Sequence, residues 1–199
     1  MQVNQYQALA MRTAKMFPDL GMNLIHSALG IGSEIGELAE TVNAIWLEVP
    51  QPPEAKPYAE NILEEVGDAA WYAALGCAHM GWNFEELIVT DPNVVHELNW
   101  PLWKAMQSWS PVAIHECAAG FAGELLTIVK AHAVYGKPLA EPHFRMTMGL
   151  YITALAALIE SYQTYTFVQA LEHNIEKLRK RYPDKYSDAD ALARADKAA

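Results

Sequence analysis

Apolar residues recur along this chain at helical rather than alternating spacing. Leu29, Ile31, Ile35, Leu38, Val42 and Ile45 are one such run, and residues three or four apart share one face of a helix. Prolines punctuate the pattern at 18, 50, 52, 53, 57, 92, 101, 111, 138, 142 and 183, none of them deep inside a periodic apolar segment. Proline removes a helical hydrogen bond and clashes with the preceding turn, so it belongs at helix ends. The intervals between prolines predict helices over 4–17, 23–47, 58–81, 94–109, 112–135, 143–163 and 166–181. No strand or hairpin signal interrupts them, so the predicted fold class is all-α. The Pro-rich piece Val49–Pro57 predicts the loop that joins two long helices. The longest uncharged runs, Ala69–Phe84 and Met146–Ile159, fall short of the roughly 18–20 residues that a membrane span needs. They predict helices buried on several sides.

A faint internal repeat runs through the pattern. Asn23–Trp46 is NLIHSALGIGSEIGELAETVNAIW and Val112–Tyr135 is VAIHECAAGFAGELLTIVKAHAVY. Ile25-His26 recurs as Ile114-His115, and Gly36-Glu37-Leu38 as Gly123-Glu124-Leu125, with a small shift between the pairs. Trp82-Asn83-Phe84 and Tyr165-Thr166-Phe167 each precede a short polar helix. Gln5–Phe17 and His96–Trp109 correspond as well. Two modules are inferred, 1–92 and 93–199, resembling a dimer fused into one chain. Because the repeat keeps a histidine at both positions, a structural role is expected for His26 and His115.

Acidic residues are the part of the pattern that carries chemistry. Glu34 and Glu37 are three apart, as are Glu65 and Asp68 on the next helix, and that spacing puts each pair on one face. The connecting loop makes the two helices antiparallel neighbours, so the acidic faces can converge. Four carboxylates meeting inside a bundle are costly unless something neutralises them. A hard divalent cation with oxygen ligands does so, and Mg²⁺ is the obvious candidate, with Mn²⁺ as substitute. The surroundings are apolar or small: Ile31, Gly32, Ile35, Gly36 and Leu38 on one side, Gly67, Ala69, Ala70, Trp71 and Tyr72 on the other. Glycines at 32, 36 and 67 permit close helix approach or leave room for a ligand. The second module has lost its acids. Glu124 stands where Glu37 does, whereas Thr147 and Leu150 fall near the positions of Glu65 and Asp68. One metal site per chain is therefore expected.

The chain is 52% apolar and 19% charged with a formal net charge of -10. It is globular by composition, and its charge repels nucleic acid and anionic membrane surfaces. A small phosphorylated ligand is still allowed, because bound cations reverse the local sign. The two cysteines, Cys77 and Cys117, lie in apolar helical runs and suit reduced core thiols. No apolar leader is visible over Met1–Lys15. A cytoplasmic location is the expectation.

GSEIGELAETV followed by ILEEVGDAAWYAA resembles the signature of MazG-like all-α nucleoside triphosphate pyrophosphohydrolases, a group that includes dimeric dUTPases and dCTP pyrophosphatases. Their pattern is ExxE, a spacer of variable length, then ExxD; here 27 residues separate Glu37 from Glu65. The stretch ALEHNIEKLRKRYPDKYS resembles the closing helix of phage-type members, and NQYQALAMRTA fits the same group. The resemblance covers residues 4–90 and 166–188; residues 93–165 are extra. It implies an all-α bundle that cleaves the α–β phosphoanhydride of a nucleoside triphosphate, with Mg²⁺ held by Glu34, Glu37, Glu65 and Asp68. It implies a site completed by a neighbouring subunit, a part the second module can take, or else a homodimer. Glu37, then Glu34, is the first choice for taking a proton from water. The resemblance points to Asn174 and Lys177 as ligand contacts, and Arg181 shares a helix face with Lys177. The basic stretch EKLRKR also suits a helix end favoured by its dipole. His26, Trp46, Trp71 and Tyr72 flank the acids and are candidates for the base or sugar, although aromatics at helical spacing also suit a core. The alternatives are a narrow dUTPase or dCTPase, and a non-catalytic nucleotide-binding scaffold. A di-iron carboxylate bundle is set aside, because it needs Glu-x-x-His on two helices and no such motif occurs.

Overall fold

The computed structural model describes residues 3–87 and 99–197. The chain is all-α, with no strand among the described residues. In chain order the helices are α1 (Val3–Met11), α2 (Leu20–Trp46), α3 (Tyr58–His79), α4 (Asn99–Met106), α5 (Pro111–Ala133), α6 (Glu141–Ser161), α7 (Phe167–Arg181) and α8 (Asp188–Ala193). Short 3₁₀ turns occupy Phe84–Leu87 and Ala195–Lys197. The predicted module boundary at 92/93 and residues 94–98 of the predicted fourth helix lie outside the described residues.

Local chemistry sets the helix ends. Asp19 caps α2 by accepting from the Met22 amide at 2.9 Å, which starts the helix at Leu20 rather than at 23. Ser110 caps α5 with Pro111 in its first turn, the position where a missing N–H costs least. Thr166 and Gln169 form a capping box at the start of α7. The expected first helix is overturned beyond Met11. There the Ala10 carbonyl accepts from the Thr13 hydroxyl at 2.7 Å and from the Trp71 indole at 3.2 Å. Asn23 then holds the link, accepting from the Phe17 amide and donating to the Phe17 and Asp19 carbonyls.

Three antiparallel pairings build the bundle. Ser27 and Gly30 of α2 meet Gly76 and Tyr72 of α3. Gly21 and Ile35 of α2 meet Ala133 and His115 of α5. Gly67 of α3 meets Ala170 and Asn174 of α7. α1 packs on α3, α4 on α6, and α6 on both α5 and α3. The core gathers Leu24, Ile31, Leu38, Leu75, Leu125 and Leu155 among others, all fully buried. The uncharged run Met146–Ile159 lies within α6, while Ala69–Phe84 runs from α3 through the link to the 3₁₀ turn; α6 supplies a continuous buried stretch from Tyr151 to Ile159. Among the described residues one helix, α5, is long and apolar enough to cross a membrane by length and composition; it packs here against α2 and α6.

The predicted loop between α2 and α3 is knit by Gln51. Its side-chain nitrogen donates to the Lys56 carbonyl at 2.9 Å, and its oxygen accepts from the Tyr58 amide at 3.2 Å. Pro52, Pro53 and Glu54 form its exposed tip.

Candidate metal centre and its cavity

The antiparallel α2–α3 pair brings the acidic motifs together at mid-helix. Carboxylate oxygens of Glu34, Glu37 and Glu65 all lie within 4.8 Å of one another. Asp68 stands one turn further along α3 and faces α7. Its Oδ1 accepts from the Asn174 amide at 2.8 Å, and its Oδ2 accepts from the Lys177 ammonium. Lys177 donates also to Glu64 Oε1 at 3.1 Å, and Lys56 holds the other oxygen of Glu64. Behind them the buried Tyr6 hydroxyl donates to Asn174 Oδ1 at 3.1 Å. Both oxygens of Asp68 are therefore oriented by the protein, whereas among the described residues no lysine or arginine forms an ion pair with the trio above it.

That contrast shapes the electrostatics. Burial, then the charges of Asp68, Glu37 and Glu65, pushes Glu34 up to about 8. Burial, then Asp68 and Glu37, pushes Glu65 up to about 7. Burial raises Glu64 too, but Lys56 and Lys177 outweigh it and bring Glu64 down to about 2. Two adjacent residues of one helix are thus driven apart by whether a lysine reaches them.

Glu34, Glu37, Glu65, Asp68, Asn174, Lys177, Arg181, His26, Trp71 and Tyr72 all line one cavity of about 340 Å³. Trp46 does not; it is 65% exposed at the C-terminal end of α2. On the apolar side His26 meets Phe17, Trp71 and Tyr72 edge-on at 5.8, 6.1 and 5.7 Å between ring centroids. Its Nδ1 is buried without a hydrogen-bond partner among the described residues, and burial lowers its pKa. The Tyr72 ring lies against the backbone of Gly30, where a Cβ would come within 2.1 Å of it. His115 takes another place: it is buried, with Nε2 at 2.9 Å from the Ile35 carbonyl oxygen. It fastens α5 to the turn of α2 that carries the acids, so the two histidines of the repeat occupy unlike surroundings.

Several residues of the cavity escaped the sequence reading. Glu64 lines it and shares a face with Asp68 at i, i+4 spacing, a signal visible in the Glu-Glu pair. Lys15, Tyr182, Tyr186 and Arg194 also line it; they come from links and short elements where no periodicity marks them. Arg181 enters the cavity already paired with Asp196, whose Oδ1 accepts from the guanidinium Nε at 2.6 Å and whose Oδ2 accepts from Nη2.

No protein-family model, curated protein or solved structure matches this chain.

The raised carboxylates give a stability signature. The folded state binds more protons than the unfolded chain between the ordinary carboxylate range and about 8. The stabilisation is full below the unfolded pKa and is lost as pH rises through about 7 to 8. In chelator-treated protein the melting temperature should therefore fall between pH 5 and 8.5. Millimolar Mg²⁺ or Mn²⁺ should remove most of that fall, because it substitutes for the lost protons. Thermal melts across this range, with and without the cation, check it; a flat metal-free profile would contradict the charge assignment.

Proposed function

We propose that this protein is a Mg²⁺-dependent nucleoside triphosphate pyrophosphohydrolase, releasing pyrophosphate and a nucleoside monophosphate. The observation that carries the reading is the convergence of Glu34, Glu37 and Glu65 on one spot, with Asp68 beside them and Lys177 and Arg181 facing the same cavity. The donor set is all oxygen and suits a hard divalent cation. Mutual repulsion of Glu34 and Glu65 supports the fit, since a cation relieves it. Glu34, Glu37, Glu65 and Asp68 would hold the ion. When bound it would supply charge neutralisation at the phosphates and acidify a water.

The protein's own residues do the rest. Asn174 and Lys177 fix both oxygens of Asp68 before any ligand arrives, so the fourth acid is pre-oriented. A carboxylate of the set that stays outside direct coordination takes a proton from the attacking water; Glu37, the most exposed of the trio, is the first choice and Glu34 the next. Lys177 and Arg181 supply positive charge on the α7 side. The His26–Trp71–Tyr72 wall provides apolar and edge-on ring surface for a base or sugar. The second module, in this reading, stands where a neighbouring subunit would: α5 packs on α2 through His115 as a partner helix, and the chain is a fused pseudo-dimer with one working site.

A panel of ribo- and deoxyribonucleoside triphosphates with Mg²⁺, assayed for pyrophosphate, tests this. Turnover of at least one member is expected, with Asp68→Asn, which alters a proposed direct ligand, reducing it by more than the roughly 10–100-fold typical of outer-shell partners. Retained nucleotide binding without any turnover would favour a nucleotide-binding scaffold instead.

A further inference from the structure

Two cations on the rim of the cavity are each held by an aspartate of one and the same segment. Arg181 is gripped at two nitrogens by Asp196, whose side chain is only 1% exposed. Lys15 is 2.7 Å from Asp188. Asp188 opens α8 and Asp196 lies in the 3₁₀ turn that follows; Arg194 between them lines the cavity itself. We propose that residues 188–197 form an acidic strap that competes with the phosphates of an anionic ligand for Arg181 and Lys15. The inference rests on the reading above insofar as the ligand is a polyphosphate.

The segment is built to let go. α8 buries no residue fully, so little apolar surface holds it down, and elements of that kind lie at the low end of local stability. Its anchors are polar: the two ion pairs and a Tyr186 hydroxyl bond to Asp188 at 2.6 Å. The Lys15–Asp188 pair is largely solvent-exposed and contributes little alone. The Arg181–Asp196 pair is the strong one, because a guanidinium fork matches the two oxygens of a carboxylate. A phosphate presents the same paired oxygens with more charge. Arg194 joins α8 to the next turn in the left-handed region at φ +47°, a strained conformation for an arginine and a natural hinge. An internal competitor raises the apparent dissociation constant by the reciprocal of the fraction of time it leaves the site free.

The probe is inorganic pyrophosphate with Mg²⁺, titrated calorimetrically into the full chain. Asp188→Asn/Asp196→Asn should bind it about tenfold more tightly than the parent, as expected when a competent fraction of about one tenth becomes the whole population. Asp196→Glu, which restores a carboxylate, should return most of the way to the parent value. Hydrogen exchange over 188–197 should speed up when pyrophosphate is added to the parent. Unchanged or weaker affinity in the double variant, or no pyrophosphate binding by any variant, overturns the strap; weaker affinity would assign Asp196 to positioning Arg181. If pyrophosphate frees the segment but no nucleoside triphosphate is turned over, the strap stands and the enzymatic reading falls. Turnover with affinity indifferent to the two aspartates gives the reverse.

Discussion

Replacing Glu34 by glutamine is expected to destroy cation binding and pyrophosphate release while making the metal-free protein more stable. Glu34 is the most strained of the trio: burial and three neighbouring acids push it up to about 8. An amide of the same shape removes one charge from a site that already holds too many. The gain is on the order of 1–2 kcal/mol once solvent screening is allowed for, or about 3–6 °C in melting temperature for a chain of this size. The functional loss is far larger. Outer-shell partners of metal ligands are worth about 10–100-fold, and a direct ligand should exceed that. Melts at pH 8.5 in chelator, paired with Mg²⁺ titration and the pyrophosphate assay, give both halves of the result. A variant less stable than the parent at that pH would show that the acids do not repel one another as the geometry implies.

Gly67→Ala should damage the protein through a single methyl group. A Cβ there would stand 2.7 Å from the Ala170 carbonyl oxygen and 3.0 Å from Asn174 Cβ. The first obstacle is backbone and cannot swing aside, so α7 must move off α3. Overpacking of this kind costs about 1–3 kcal/mol, against about 1 kcal/mol returned by replacing a mid-helix glycine. The net expectation is a loss of up to about 2 kcal/mol. Because α7 carries Asn174 and Lys177, the displacement also releases Asp68, and pyrophosphate release should fall by about tenfold or more. Gly32→Ala and Gly36→Ala are the controls: among the described residues nothing lies within 4 Å of either added Cβ, so both should stabilise by up to about 1 kcal/mol. Denaturant melts of the three variants separate the cases, and a Gly67→Ala protein as stable as its controls would refute the close-packing argument.

The same three glycines show where the sequence was legible. Their presence beside the acidic motifs was plain, but only the crossing of α7 over α3 separates a packing contact from open space. Periodicity and proline placement, which are local, mark α1 to α7 as helices; the six-residue α8 (Asp188–Ala193), too short to show a period, is not among the seven predicted. Neither marks the end of α1, because Thr13 and a distant Trp71 both donate there to the one carbonyl oxygen of Ala10. The acidic faces converge as helical spacing and a short loop require. What spacing could not convey is that Lys177 reaches past Glu65 to Glu64 and Asp68, since that depends on long-range packing between residues 113 and 109 positions apart. Trp46 shows the opposite error: proximity to Glu37 in the chain suggested a wall of the cavity, yet nine further residues of helix carry it about 13 Å away along the axis.

That same arithmetic applies to the turn between α2 and α3. Glu37 and Glu65 lie well inside their helices, while the tip at Pro52–Glu54 is exposed and is separated from both by folded helix and by the Gln51 clasp. Chain added at the tip would lengthen the connection without changing how the helices face each other. The spacer is therefore a neutral site in the architecture, where a fluorophore, an affinity handle or a whole extra domain could be spliced in as a reporter of what happens at the acids beneath.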